Sequence, residues 1–112
     1  LGFELAHVGI NQESEGDALA VAESLCDAFR FPVKQGNSSN FASDGIEITK
    51  SKAPGTCGHL AVRTNSISRA IYYLGLRGYE VDMGTAKYKG DKMIAVYLKD
   101  EFGGFAVHLL QK

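Results

Sequence analysis

The sequence carries almost no net charge: twelve basic residues stand against thirteen acidic ones, for a formal charge of −1 over 112 residues. That balance argues against nucleic acid or an anionic membrane surface as partner, since both select basic patches. The basic residues are scattered, with no interleaved aromatic stripe. No apolar run approaches the ~20 residues that cross a bilayer, and nothing at the start reads as a secretory leader. Cysteine is scarce. Cys26 and Cys57 lack CxxC spacing, so neither a disulfide framework nor a thiolate metal knuckle is expected, and a reducing cytoplasm is the plain expectation. The chain also opens at Leu1 without a methionine, which suggests a domain cut from a longer polypeptide.

What is present is ordinary for a globular domain: 45% hydrophobic and 22% charged residues. At this length one compact domain with a real core is expected, residues 1–112, and not two independent ones. Within it, "AHVGINQES" (6–14) and "GHLAVRTNS" (58–66) match closely. Each sets a histidine in a short apolar run, then a polar cluster, then a helix-like stretch.

The repetition extends past these segments. Strands are expected at Phe3–Asn11, near Val33–Gln35, Asn40–Ala42 and Ile46–Lys50, with a helix from Asp17 to Phe29 ended by Pro32. In the second half, a strand at His59–Arg63 precedes a helix capped by Asn65 or Ser66, with Ile67, Ala70, Ile71 and Leu74 as its buried stripe. Gly78 suits the end of that helix. Further strands fall near Tyr79–Met83, Met93–Lys99 and Phe105–Leu110. Both halves read strand–helix–strand–strand–strand, one module at about 1–50 and the other at about 57–112. The class is α+β, and neither half could bury its sheet face alone.

Strand side chains alternate between faces. Ala6, Val8 and Ile10 oppose His7; Ile46 and Ile48 flank Glu47; Leu60 and Val62 oppose His59; Phe105, Val107 and Leu109 oppose His108. The uniformly apolar faces suit the helices. The other face carries every histidine of the chain and one glutamate, on the first and last strands of each half. A histidine in an apolar strand is by default a hydrogen-bonded structural residue, but four such residues on equivalent strands point to a shared site.

Three imidazoles and a carboxylate suit a divalent transition metal: zinc, nickel, cobalt, manganese or iron. Four protein ligands could close a structural zinc site. A six-coordinate metal would keep two positions for the neighbouring oxygens of a 2-oxo or 2-hydroxy acid, and would stabilise negative charge on an enolate-like intermediate. Glu47 and His108 are then the candidates for moving the proton. Asn37, Ser39, Arg63, Lys87 and Tyr97 are candidates for contacting the acid. Arg63 shares the face of His59, Tyr97 opposes Ile94, Val96 and Leu98, and Lys87 falls in "GTAKYKG" between expected strands.

With "AHVGI", "GIEIT", "GHLAV" and "FAVHLL" at these strands, the chain resembles the vicinal oxygen chelate superfamily, the fold of glyoxalase I, bleomycin-resistance proteins and extradiol dioxygenases. The resemblance covers essentially the whole chain. It implies a curved mixed sheet with the helices on its convex face, and a metal held by His7, Glu47, His59 and His108. The eighth strand of that family usually offers a glutamate, whereas His108 stands here. An imidazole there changes the charge and basicity of the site, so glyoxalase activity itself does not follow.

More narrowly, "GTCGHLAVRTNSISRAIYYL" and "YLKDEFGGFAVHLLQK" resemble the small domain fused to bacterial 2-keto-3-deoxy-6-phosphogluconate / 4-hydroxy-2-oxoglutarate aldolases. That resemblance implies a small-molecule acid as ligand and an aldolase domain in the same polypeptide, although no Schiff-base lysine motif lies in these residues. The family also implies a homodimer. An enzyme of lyase or isomerase type and a metal- or metabolite-binding regulatory module both fit, and a metal-free sequestering domain is a third option.

Overall fold

The structure, a computed structural model, describes all residues 1–112. Strand β1 (Glu4–Asn11) leads into helix α1 (Glu15–Phe29), followed by β2 (Val33–Gln35), β3 (Ser39–Ala42) and β4 (Ile46–Thr49). The second half repeats the order with β5 (Gly58–Thr64), α2 (Ile67–Leu76), β6 (Val81–Lys89), β7 (Lys92–Phe102) and β8 (Phe105–Gln111). The eight strands form one curved, open mixed sheet in the order β2-β3-β4-β1-β5-β8-β7-β6. Read from either end, that order is the same half followed by its mirror in sequence. The α+β arrangement of two tandem βαβββ units expected from the residues is therefore the one observed.

The helices begin where side chains satisfy their open ends. The Ser14 hydroxyl accepts from the Asp17 backbone N–H at 3.1 Å, so α1 starts at Glu15, two residues earlier than its apolar spacing indicates. It stops at Arg30, which takes a left-handed conformation (φ 61°) and donates its N–H to Cys26 O; Pro32 lies beyond the actual end. Ser66 caps α2, and the first free N–H of that helix, on Ile67, donates to Gln111 Oε1 at 2.9 Å.

Two apolar clusters, one beneath each helix, hold the sheet. Ala18 and Ala22 of α1 pack on Ala42 and Ile48, with Ile10 and Ile46 at the margin. Ile67 and Ala70 of α2 pack on Val96 and Leu109, with Val62 and Val81 at the margin. These are the strand faces assigned to the helices by alternation, which leaves the opposite face free for polar residues.

The last three strands are longer than their sequence pattern suggests. β6 runs to Lys89 rather than ending near Met83, and β7 to Phe102 rather than Lys99. The β6–β7 register shifts between Asp82 and Lys87, so the alternation that marks a strand is broken there. Lys87 consequently sits on β6, paired across from Ala95, and not in a loop between strands. The "KYKGDK" segment is two strand ends around a tight turn at Gly90 (φ 64°).

Candidate metal centre

The strand register explains how the four ionisable residues meet. Gly9 of β1 lies beside Glu47 of β4 on one side and His59 of β5 on the other. In the related row, Ala61 of β5 lies beside His108 of β8 and His7 of β1. The two rows exchange under the pseudo-twofold that relates the halves. A small residue stands between the two larger groups in each row, and this spacing leaves room for rings to lean over the centre.

The side chains converge there. His7 Nε2 lies 3.1 Å from His59 Nε2. Glu47 Oε1 lies 3.0 Å from His59 Nε2 and 3.6 Å from His7 Nε2. The His108 ring packs edge-on to His59, with centroids 5.0 Å apart, and the three histidines offer ring nitrogens within 4.8 Å of one another. His59 is 3% exposed.

Protons alone satisfy this cluster poorly. If His59 Nε2 donates to Glu47, it has no lone pair left for His7; if it accepts from His7, it cannot donate to Glu47. A shared cation resolves all three contacts. Metal–ligand bonds of about 2.0–2.2 Å set neighbouring ligand atoms roughly 3.0–3.5 Å apart, which is the range of the observed separations. His108 Nε2 is buried without a hydrogen-bond partner, as is His59 Nδ1. An imidazole nitrogen in that state has its lone pair available for a cation or leaves a buried polar atom unsatisfied. The residues present therefore fit a divalent metal.

The electrostatics agree. Burial, reinforced by the adjacent His59 and His7 and by Lys87, pushes His108 down to about 4 against the opposing pull of Glu47. Burial also lowers His7, outweighing Glu47, with His59 and Arg63 adding to the effect. Both rings are thus neutral at physiological pH, the form that binds metal. The hydrogen bond from His59 holds the Glu47 carboxyl below its usual range, ahead of burial, which opposes it.

The cluster lies in a cavity of about 580 Å³ on the sheet face away from the helices. Of the residues expected to contact a ligand, Ser39, Lys87 and Tyr97 line it. The Tyr97 ring stacks on His108 at 4.7 Å and 18°, and burial together with Glu47 keeps its hydroxyl protonated by raising its pKa. Arg63 and Asn37 are not brought to the cavity. Arg63 faces Glu4 across the β1–β5 pair, at 3.7 Å, and Asn37 lies exposed in the β2–β3 turn.

Two features were missed from the residues alone. One is Gly9: a Cβ there would collide with the His59 ring, so this glycine is the floor against which the ring lies. The other is the 50–57 segment, whose Ser51, Ala53 and Pro54 form a wall of the cavity. Asn11 Nδ2 holds it by donating to Ala53 O at 3.0 Å and Gly55 O at 2.9 Å, and the Thr56 hydroxyl donates to Glu101 at 2.8 Å. An asparagine ending the first strand was the available signal.

Solved structures share this architecture. Hypothetical protein BH1468 from Bacillus halodurans C-125 superposes with a TM-score of 0.67 at 15% identity, over 100% of this chain and 96% of that one. Methylmalonyl-CoA epimerase from Mycobacterium tuberculosis does so with a TM-score of 0.61 at 16% identity, over 96% and 86%. A mutant 4-hydroxymandelate synthase from Streptomyces coelicolor gives 0.60 at 16% identity, over 97% of this chain and 48% of the larger enzyme. The shared fold is the curved, open mixed sheet built from two βαβββ units. No protein-family profile matches the chain, and no curated protein sequence does. The likeness at these identities is one of fold; the site rests on its own geometry. No helix is long and apolar enough to cross a membrane.

Proposed function

We propose that this protein is a divalent-metal-dependent enzyme acting on a small 2-oxo or 2-hydroxy acid, by chelation of two neighbouring oxygens and proton transfer at the adjoining carbon, in the manner of a lyase or isomerase. The observation that carries this reading is the approach of His7 Nε2, His59 Nε2 and Glu47 Oε1 to within 3.0–3.6 Å of one another, with His108 beside them in an open cavity. His7, His59, His108 and Glu47 would hold the cation. When bound, it supplies Lewis acidity and two positions for vicinal oxygens, stabilising the negative charge that grows when a proton leaves carbon.

The chain's own residues do the rest. Glu47 turns Oε1 toward the imidazoles, which leaves its other oxygen to exchange a proton with the ligand; His108 would take that proton only with its ring nitrogen off the cation. Tyr97, kept as a neutral phenol, donates a hydrogen bond, and Ser39 steadies Glu47. The 50–57 wall limits water on one side.

One observation favours a second reading, a metal- and metabolite-binding module without turnover, regulating an attached aldolase. Both candidate proton carriers, Glu47 and His108, are held below their ordinary pKa, whereas a general base working near neutrality is best tuned toward 7. In either reading a homodimer is proposed.

Metal analysis of protein stripped and reloaded with zinc, nickel, cobalt, manganese or iron tests the shared premise. One ion per chain is expected, and no ion under any loading condition ends both readings. Deuterium exchange at carbon 3 of 2-oxobutanoate, followed by NMR with loaded protein, separates them: exchange above the metal-only rate marks the enzyme, and binding without exchange the module.

A further inference from the structure

The polar groups around the cavity divide into two sets. Thr49, Thr85 and Ser39 are engaged within the protein. The Thr49 hydroxyl bonds to Asn11 Oδ1, Thr85 donates to Asp82 O and accepts from Tyr97 N–H, and Ser39 lies beside Glu47 and helps to lower its pKa. Ser38, Ser51, Tyr97 and Lys87 have side-chain polar atoms facing the cavity with no protein partner. These four come from four separate segments: the β2–β3 turn, the 50–57 wall, β7 and β6.

Lys87 is the only cationic side chain lining the cavity, and no carboxylate lies within ion-pair distance of it. The other cation expected to serve, Arg63, faces Glu4 instead. The aliphatic side chains of the lining are only Ala53, Pro54 and Ala86. These residues offer no aliphatic seat for an acyl tail, and a single lysine is a poor match for the several phosphates of a coenzyme A ester.

We propose that the ligand is a small polyhydroxylated acid, a sugar acid of about five or six carbons. Lys87 pairs with a carboxylate, and the Ser38, Ser51 and Tyr97 hydroxyls bond to the ligand's own hydroxyls. This deepens the proposed function by naming the substrate class of that same cavity, and it rests on that reading only for which end of the ligand faces the histidines. A hydroxylated chain satisfies the free donors and acceptors of the wall, whereas an alkyl chain would strip them of water without replacement. The 580 Å³ of the cavity accommodates a molecule of this size.

The test is isothermal titration of zinc-loaded protein with three probes of equal carbon number: D-gluconate, 2-hydroxyhexanoate and D-glucitol. D-gluconate is expected to bind at least tenfold more tightly than either of the others. Lys87→Met should weaken D-gluconate and 2-hydroxyhexanoate by tenfold or more, and the Ser38→Ala, Ser51→Ala double variant should weaken D-gluconate and D-glucitol while leaving 2-hydroxyhexanoate unchanged. Zinc affinity, read separately by competition with a chromophoric chelator, should not move in these variants. Equal or tighter binding of 2-hydroxyhexanoate, equal binding of D-glucitol, no binding of D-gluconate at millimolar concentration, or indifference to Lys87→Met would each overturn the inference. If wild-type protein holds no zinc, the metal-dependent reading fails instead, and the same titrations on metal-free protein still decide the ligand class.

Discussion

The two halves of the molecule bring the same backbone positions to the centre and put different chemistry on them. His7 and His59 are equivalent, and so are Glu47 and His108: the Gly9–Glu47 pairing of the first half corresponds to the Ala61–His108 pairing of the second. Geometry therefore comes from the duplication, while the charge of the centre comes from one departure from it. Three imidazoles and one carboxylate leave a divalent cation with a net charge of +1, where two carboxylates would neutralise it. A second departure is a single methyl group. Gly9 opposite His59 lets that ring lie against the sheet, whereas Ala61 opposite His7 does not, and the His59 side chain is 4% exposed against 17% for His7.

Removing each member of the His7–His59 pair in turn breaks this comparison most strongly. His59→Ala deletes the ring that touches both His7 and Glu47. Zinc affinity should fall by more than about a hundredfold, beyond the 10–100-fold typical of losing an outer partner of a ligand. His7→Ala, at the more exposed equivalent, should have the smaller effect. Chelator competition measures both, and equal losses would mean that the burial difference between the halves has no bearing on binding.

The acid limb of stability sharpens the contrast between Glu47 and His108. In metal-free protein His108 titrates at about 4 and His7 below 6.5, so the unfolded chain binds more protons between those values. The neutral rings cause no loss of stability above pH 6.5; stability falls as pH drops through the window and levels off for His108 below about 4. The His108 contribution is at most ~3 kcal/mol, less where solvent reaches the ring. Glu47, lowered by its His59 hydrogen bond, adds its own loss as pH falls from its ordinary value of 4.5 through its lowered one. Urea unfolding from pH 7 to 4 should show the decline, and His108→Gln should flatten it. An unchanged slope in that variant would refute the assignment.

The same comparison shows what could be read before the fold was known. Period-two alternation placed His7, Glu47, His59 and His108 on one face because each lies in a strand with an apolar reverse side. The offsets of 52 and 61 residues between equivalents identified the pairs. Lys87 was named as a ligand contact but placed between strands, because β6 carries an irregular register between Asp82 and Lys87, which destroys alternation. Arg63 was expected at the ligand because the Glu4–Arg63 pairing is a fact of β1–β5 register, invisible along either strand alone. Gly9 has no side chain to attract notice, and its importance lies in the ring that crosses it.

Exchanging the small residues tests that point directly. Gly9→Ala drives a methyl group into the His59 ring. Overpacking of this kind costs about 1–3 kcal/mol, and zinc affinity should fall with it because the ring must tilt away from Glu47. The reciprocal Ala61→Gly, at a fully buried position, should cost only about 0.5–1 kcal/mol of strand stability and leave His59 in place. Thermal unfolding and zinc competition on both variants check the asymmetry; equal penalties would show that the rings, not the residues beneath them, set their own positions.

The smallest effect is expected one strand further out. Tyr97 stands beside His108 as Phe41 stands beside Glu47, so the two aromatics are equivalents with different neighbours. Tyr97 stacks on an imidazole, whereas Phe41 meets a carboxylate. Aromatic pairs contribute about 0.5–1.5 kcal/mol beyond burial. Tyr97→Leu should therefore weaken zinc binding by a factor of a few, by freeing His108 to turn, and Tyr97→Phe should restore it because the stack survives without the hydroxyl. Phe41→Leu removes no such stack and should leave zinc affinity unchanged. If Tyr97→Phe lost affinity as Tyr97→Leu does, the hydroxyl rather than the stacked ring would be what holds the fourth ligand, and the difference between the halves would reach one strand further than the metal.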